Sequence, residues 1–155
     1  MSKNLSKVKK FIDTLETRLN WDEYFMSIAL LISQRSSCHR LRVGSIIVKD
    51  NRIISTGYNG FLPGAEHKSI VINNHEQATV HSEQNAICDA ASRMVSVKDS
   101  SIYVTHFPCI NCFKSITASH IKTIYYHLNY KNNPLVIQLA EENNLVKAAE
   151  RIQLM

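Results

Sequence analysis

The fold turns on Ser101-Ile102-Tyr103-Val104-Thr105-His106-Phe107-Pro108-Cys109-Ile110-Asn111-Cys112-Phe113. Ser101 to Thr105 is short, apolar and β-branched, as a strand should be. Pro108 interrupts it, and Cys109 to Ser119 reads as a helix. Working outward, Ile121 to His127 is the next strand, and Asn133-Pro134 opens a helix through Asn143, with proline suited to a first helical turn. Ala148 to Leu154 reads as a last strand or a fraying helix. Upstream, Ala86, Ile87, Ala90, Ala91 and Met94 form a helical stripe within Val80 to Met94. Val43 to Val48 and Arg52 to Tyr58 are two strands around a Lys49-Asp50-Asn51 turn, a β-hairpin. Asn59-Gly60 and Pro63-Gly64 mark a loop, and Ala65 to Thr79 is polar and irregular. Trp21 to Ser33 is the first helix of the body, with Asn20 as its N-cap. Strands alternating with helices in this order make an α/β domain.

The 155 residues suit one such domain, with 45% hydrophobic and 20% charged content. No run approaches the roughly 20 apolar residues of a membrane helix. The N-terminus lacks the apolar core and cleavage site of a signal peptide. The expected location is therefore cytoplasmic. The net charge of +5 is uneven. Lys3, Lys7, Lys9, Lys10 and Arg18 against Asp13 and Glu16 place +3 of it in residues 1–20. The body lacks the basic stripe of a nucleic-acid surface. We divide the chain into an N-terminal extension, 1–20, and a domain, 21–155. Leu5, Val8, Phe11, Ile12, Leu15 and Leu19 put an amphipathic helix in the extension. It is expected to pack on the domain or a neighbouring subunit. Its narrow apolar face and its acids disfavour a membrane.

In a chain without export signals, disulfides are the weaker reading of Cys38, Cys88, Cys109 and Cys112. Cys88 reads as a small core residue. Cys109 and Cys112 have metal-ligand spacing and share a helical face. His81-Ser82-Glu83 opens one helix and Cys109 to Cys112 opens another. Helix-start N–H groups and a nearby cation favour the thiolate that zinc requires. His81, Cys109 and Cys112 supply three zinc ligands and leave a fourth position for water, the arrangement of a catalytic site. Glu83 lies two residues past the histidine, a step of roughly 200° on a regular helix. It faces the same site only if His81 sits at the very helix start. His-x-Glu with Pro-Cys-x-x-Cys is the signature of zinc deaminases. Zinc brings the pKa of water toward about 7. Glu83 is suited to move that water's proton to pyrimidine N3 and then to the departing amine.

The chain resembles the deoxycytidylate deaminase family, in its bacterial branch with the late-competence-operon deaminase. The resemblance runs from about Trp21 to Asn144. It rests on Trp21-Asp22-Glu23-Tyr24-Phe25-Met26, Val43-Gly44, Ser55-Thr56-Gly57-Tyr58-Asn59-Gly60, Val80-His81-Ser82-Glu83-Gln84-Asn85-Ala86-Ile87 and Tyr103 to Cys109. Ser82 stands where the family usually has alanine. The resemblance implies a cytidine-deaminase-like three-layer α/β/α sandwich with a five-stranded mixed sheet. It implies conversion of dCMP to dUMP for thymidylate synthesis. It also implies a homohexamer activated by dCTP and inhibited by dTTP, with Mg2+ accompanying these nucleotides and Gly57-Tyr58-Asn59-Gly60 as an effector loop. By position, Asn59 would contact the deoxyribose or phosphate, and the Ser82 backbone N–H the pyrimidine carbonyl. Phe107 and Pro108 would shape the wall beside the ring, and Tyr130 would pack near base or sugar. Core packing is the alternative for Tyr58, Phe107 and Tyr130, and a turn role for Asn59. His106 reads equally as packed or solvent-facing.

Many members carry a second, structural zinc. Here Cys38, His67 and His75 are its candidate ligands, but Lys68 and Glu76 stand where cysteine is common, and loss of that metal is the alternative. Two other readings remain. One is a deaminase of tRNA adenosine or of a riboflavin precursor, which leaves the Gly-Tyr-Asn-Gly loop unexplained. The other is a non-catalytic assembly factor in DNA uptake, which leaves Glu83 without a purpose.

Overall fold

Alternation along two strands decides which face of the sheet each helix covers. On β1 (Gly44–Lys49), Ile46 and Val48 point one way and Ile47 the other; on β7 (Ser101–His106), Tyr103 opposes Ile102 and Val104. Ile46, Val48 and Tyr103 pack with Phe25, Met26 and Ala29 of α2 (Trp21–Ser33). Ile47, Ile102 and Val104 pack on the other face. Their partners are Ala86 of α3 (Ser82–Ser92), Phe113 and Ile116 of α4 (Ile110–Ala118), and Val136 and Ala140 of α5 (Pro134–Glu142). The result is a helix–sheet–helix sandwich. The computed structural model describes residues 2–73, 75–129, 133–142 and 149–151.

β2 (Arg52–Tyr58) and β1 form the expected antiparallel hairpin, with a bulge at Ile47/Val48. Its turn residues Asp50 and Asn51 both have positive φ, which these residue types tolerate. β1 runs antiparallel to β7. β7 runs parallel to β8 (Thr123–Leu128), with α4 as the crossover. The sheet order is β2-β1-β7-β8, and the three-residue β9 (Ala149–Arg151) adds parallel to β8 at the edge. Two minor ladders lie outside it: β3 (Gly60–Phe61) with β6 (Thr79–Val80), and β4 (Val71–Ile72) with β5 (His75–Glu76).

Two close approaches require glycine. A Cβ on Gly44 would lie 2.2 Å from the Ala29 carbonyl oxygen, so α2 rests directly on the β1 backbone. A Cβ on Gly57 would lie 2.1 Å from the Ser82 carbonyl oxygen and 2.5 Å from the Ala86 nitrogen, which seats the start of α3 against β2. Asn20 caps α2 in a full capping box: its side chain accepts from the Glu23 N–H and the Glu23 carboxylate accepts from its own.

The extension departs from expectation. α1 (Lys3–Ile12) stops at a C-cap on Asp13 and does not reach Leu19. The Thr14 hydroxyl donates to the Phe11 carbonyl at its end. None of its side chains is buried, and Leu5, Phe11, Ile12 and Leu15 are exposed, so it is not packed into the domain core. Cys88 also departs from its expected core place. It lies on the outer face of α3 and is exposed, whereas Ala86 and Ala90 face inward.

Candidate active site

α3 and α4 point their N-termini at one place, beyond the carboxyl end of β7. Ligands of open α/β sheets bind beyond the carboxyl ends of parallel strands. His81 is the N-cap of α3, with extended backbone (φ −70°, ψ 153°). This puts it at the helix start, outside the 100° progression of the helix proper. Cys109 is the N-cap of α4 (φ −68°, ψ 168°), and Cys112 lies buried in the first turn. Neither cap side chain bonds a helix N–H. Both are aimed at each other instead: His81 Nδ1 lies 3.5 Å from Cys109 Sγ and 3.3 Å from Cys112 Sγ. One ligand atom from each residue falls within 4.8 Å of the others.

This donor set fits zinc. Bonds of about 2.3 Å to sulfur and about 2.0–2.1 Å to nitrogen at tetrahedral angles place sulfur and nitrogen about 3.6 Å apart. The two observed separations are close to that. Three ligands leave one coordination position open.

One of the two thiols is prepared to lose its proton. A hydrogen bond from Cys112 pulls the Cys109 thiol down to about 3, with help from His81. The same bond to Cys109, together with burial, pushes Cys112 up. The two shifts run in opposite directions because the two thiols share one hydrogen bond. The Cys109 hydrogen bond raises His81 against the effect of burial. Glu83, in the first turn of α3, is buried at 4% exposure. Burial raises its pKa, opposed by its own backbone N–H and by the Ser82 hydroxyl, which donates to Oε2 at 2.9 Å.

A cavity of about 470 Å³ opens over this cluster and takes in His81, Ser82, Glu83, Cys109, Asn59 and Phe107. Residues 19–128 match the family model described as the cytidine and deoxycytidylate deaminase zinc-binding region. The chain belongs to this family. It is 43% identical over 129 residues to ComE operon protein 2 of Bacillus subtilis (strain 168), covering 81% of this chain and 68% of that protein. It is 38% identical over 127 residues to the deoxycytidylate deaminase of Mycobacterium phage D29, covering 71% of this chain and 96% of that one. Among solved structures, the dCMP deaminase of cyanophage S-TIM5 in complex with dCMP and dUMP superposes with TM-score 0.68 at 28% identity, covering 90% of this chain and all (100%) of that chain.

Pro108 is fully buried and is not among the residues lining the cavity, whereas Phe107 lines it while meeting Tyr126 edge-on at 4.8 Å. Tyr130 lies outside the described residues. Asn59 lines the cavity, yet its side chain is heavily used. Oδ1 accepts from the Ser36 hydroxyl (2.7 Å) and the Val43 N–H (2.8 Å), and Nδ2 donates to the Leu41 carbonyl (2.7 Å). One Nδ2 hydrogen remains for a ligand. In the loop 57–60, the Tyr58 carbonyl accepts from Asn85 at 2.8 Å, so this loop also fastens α3.

Cys38, His67 and His75 are not gathered into a second metal site. Among the described residues, the only group of three or more His, Cys, Asp or Glu ligand atoms close enough to share an ion is His81, Cys109 and Cys112. The His67 ring is stacked on Phe61 at 4.9 Å, and only Cys38 and His75 of the three line the cavity. Sequence reading missed Arg40, Glu76, Thr79 and Ile110 on the cavity wall. Arg40 is two residues past Cys38, and nothing in the local pattern marks it as facing a site 40 residues away in sequence.

Proposed function

We propose that the protein is a zinc-dependent hydrolase that converts dCMP to dUMP and ammonia. The observation that carries this reading is the buried Glu83 carboxylate beside the open His81–Cys109–Cys112 cluster, inside a cavity large enough for a nucleotide. The relatives' names and the cyanophage complex with dCMP and dUMP support the choice of substrate.

His81, Cys109 and Cys112 would hold the zinc, which supplies Lewis acidity that brings the pKa of water from about 15.7 toward about 7. Glu83 takes the proton from the attacking water and delivers it to ring N3, which leaves C4 electrophilic. Water oxygen bonds to C4. Glu83 then carries a proton to the exocyclic amine, the C4–N bond breaks, and ammonia leaves with uracil as product. The Ser82 hydroxyl holds one Glu83 oxygen and leaves the other for this work. The Ser82 backbone N–H meets the pyrimidine carbonyl. Phe107, backed by Pro108, forms the wall beside the ring, and Asn59 offers its remaining Nδ2 hydrogen to the sugar. Among the described residues lining the cavity, Arg40 is the only lysine or arginine, which suits one phosphate better than three.

On this reading the catalytic domain begins at Trp21, and residues 1–20 are an extension. The three-residue β9 counts as the fifth strand of the family sheet. The enzyme acts in the cytoplasm and feeds dUMP to thymidylate synthesis, and it is a homohexamer under dCTP and dTTP control with Mg2+ on those nucleotides. These last features rest on the family resemblance. No described helix is long and apolar enough to cross a membrane. The deciding experiment is ammonia release from dCMP, dCTP, CMP, deoxycytidine and tRNA. Turnover with dCMP as the best substrate is expected, and dCMP inert beside an active tRNA or dCTP would overturn the assignment.

A further inference from the structure

The segment from Leu62 to Ala78 forms part of the cavity wall yet has little burial to hold it. Leu62, Ile70, Val71 and Ile72 are all exposed. Its β4–β5 hairpin has two residues in each strand, too few to stand alone. What gathers it is one carboxylate. Glu76 Oε1 accepts from the Ile70 N–H at 3.0 Å and from the Ala78 N–H at 2.9 Å, and Oε2 accepts from the Ser69 hydroxyl. The Gln77 N–H adds a bond to the Ile70 carbonyl at 2.7 Å. Hydrogen bonds to an ionised acceptor are roughly twice as strong as neutral ones. The Ser69 hydroxyl, first among these donors, holds the carboxyl below its ordinary range, and Arg40 acts in the same direction. His75, Glu76 and Thr79, at and beside this clasp, line the cavity that also holds Glu83.

We propose that Glu76 is a positioning residue for the deamination, its carboxylate clasping residues 69–78 so that they form a fixed wall of the substrate cavity. It touches none of the reacting atoms. The Glu76 backbone carbonyl accepts from the His81 ring and is kept in a side-chain substitution. The carboxylate's effect reaches the substrate through the seating of His75 and Thr79, so its loss acts on binding and not on the chemical step. This rests on the cavity being the substrate site.

The test uses the full-length, zinc-loaded protein and its Glu76→Ala, Glu76→Gln and Ser69→Ala variants. For Glu76→Ala, the KM for dCMP should rise about tenfold or more, as expected for loss of several charge-assisted bonds. Its kcat should stay within about twofold, the pattern of lost uniform binding. Zinc content should be unchanged. Glu76→Gln keeps an acceptor for the two amides and should fall between, and Ser69→Ala should shift KM in the same direction but less. Hydrogen exchange at the Ile70 and Ala78 amides should quicken in Glu76→Ala, and amides of α2 and β7 should not. Unchanged exchange at those two amides would overturn the clasp, whatever substrate the enzyme takes. Quickened exchange with an unchanged KM, or a fall in kcat at constant KM, would overturn the positioning role. Absence of wild-type dCMP turnover would instead indict the proposed substrate, and the exchange result would still decide the clasp.

Discussion

Asn59→Ala separates the two roles available to that residue. Asn59 is 6% exposed, and its amide bridges Ser36, Leu41 and Val43. Removing the amide leaves the Val43 N–H and the Leu41 carbonyl without their partner. The Ser36 hydroxyl keeps the Asn59 backbone carbonyl, also at 2.7 Å, so it is not orphaned. Two part-buried backbone groups at about 1–3 kcal/mol each give a loss of about 2–6 kcal/mol. For a chain of this size, at about 2–4 °C per kcal/mol, that lowers Tm by roughly 4–24 °C. Asn59→Asp should not rescue it. Aspartate still accepts from Ser36 and Val43, but it sets an oxygen against the Leu41 carbonyl where Nδ2 donated. Both variants should also raise KM, because Leu41 and Val43 line the cavity. The assays are thermal unfolding and dCMP kinetics on the same preparations. A variant with wild-type Tm and a raised KM would refute the strut and leave Asn59 as a substrate contact alone.

Two further outcomes follow from the site. Cys109→Ala should lose zinc and turnover together, checked by metal analysis, and a zinc-replete variant would remove Cys109 from the ligand set. Glu83→Gln should raise the Tm of the metal-free protein at neutral pH. Burial raises the folded pKa of Glu83 above its unfolded value, so ionisation weighs against the folded state. The carboxyl's relative stabilisation is present in acid and lost as pH rises through the folded pKa. The advantage of glutamine should therefore shrink toward zero as pH falls below the ordinary range of a free glutamate carboxyl, as unfolding curves across pH would show.

Much of this architecture was legible because local chemistry and tertiary structure agree. Asn20 as N-cap marked the start of α2, and the structure begins that helix at Trp21 and adds Glu23 as the second half of a capping box. The argument that His81 must sit at a helix start, or Glu83 would face away, is met by its place as N-cap. The amphipathic pattern of residues 5–19 marked the helix of α1 but not its end at Ile12, and periodicity reports a face without saying what covers it. The residues 65–79 read as irregular because two-residue ladders of exposed side chains leave no alternation to detect. Their organiser, Glu76, looks like any surface glutamate until its three donors converge. Cys88 follows an apolar run, but the helical phase that turns Ala86 and Ala90 inward turns it out. The turn role of Asn59 and its suspected substrate role both hinged on which atoms were already engaged, which only the fold reveals.

The central claim is that Glu83 moves the protons while His81, Cys109 and Cys112 hold the metal. The most direct test is Glu83→Gln, with zinc content and dCMP deamination rate measured on one preparation. Glutamine keeps the shape and still accepts the Ser82 hydrogen bond, so fold and zinc should be retained. It cannot relay a proton, and general acid–base catalysis contributes about 10²–10⁴-fold. Full zinc with turnover reduced by at least that range is the expected result. A zinc-replete variant that keeps a tenth or more of wild-type turnover, about 1.4 kcal/mol or less of lost barrier stabilisation, would contradict it.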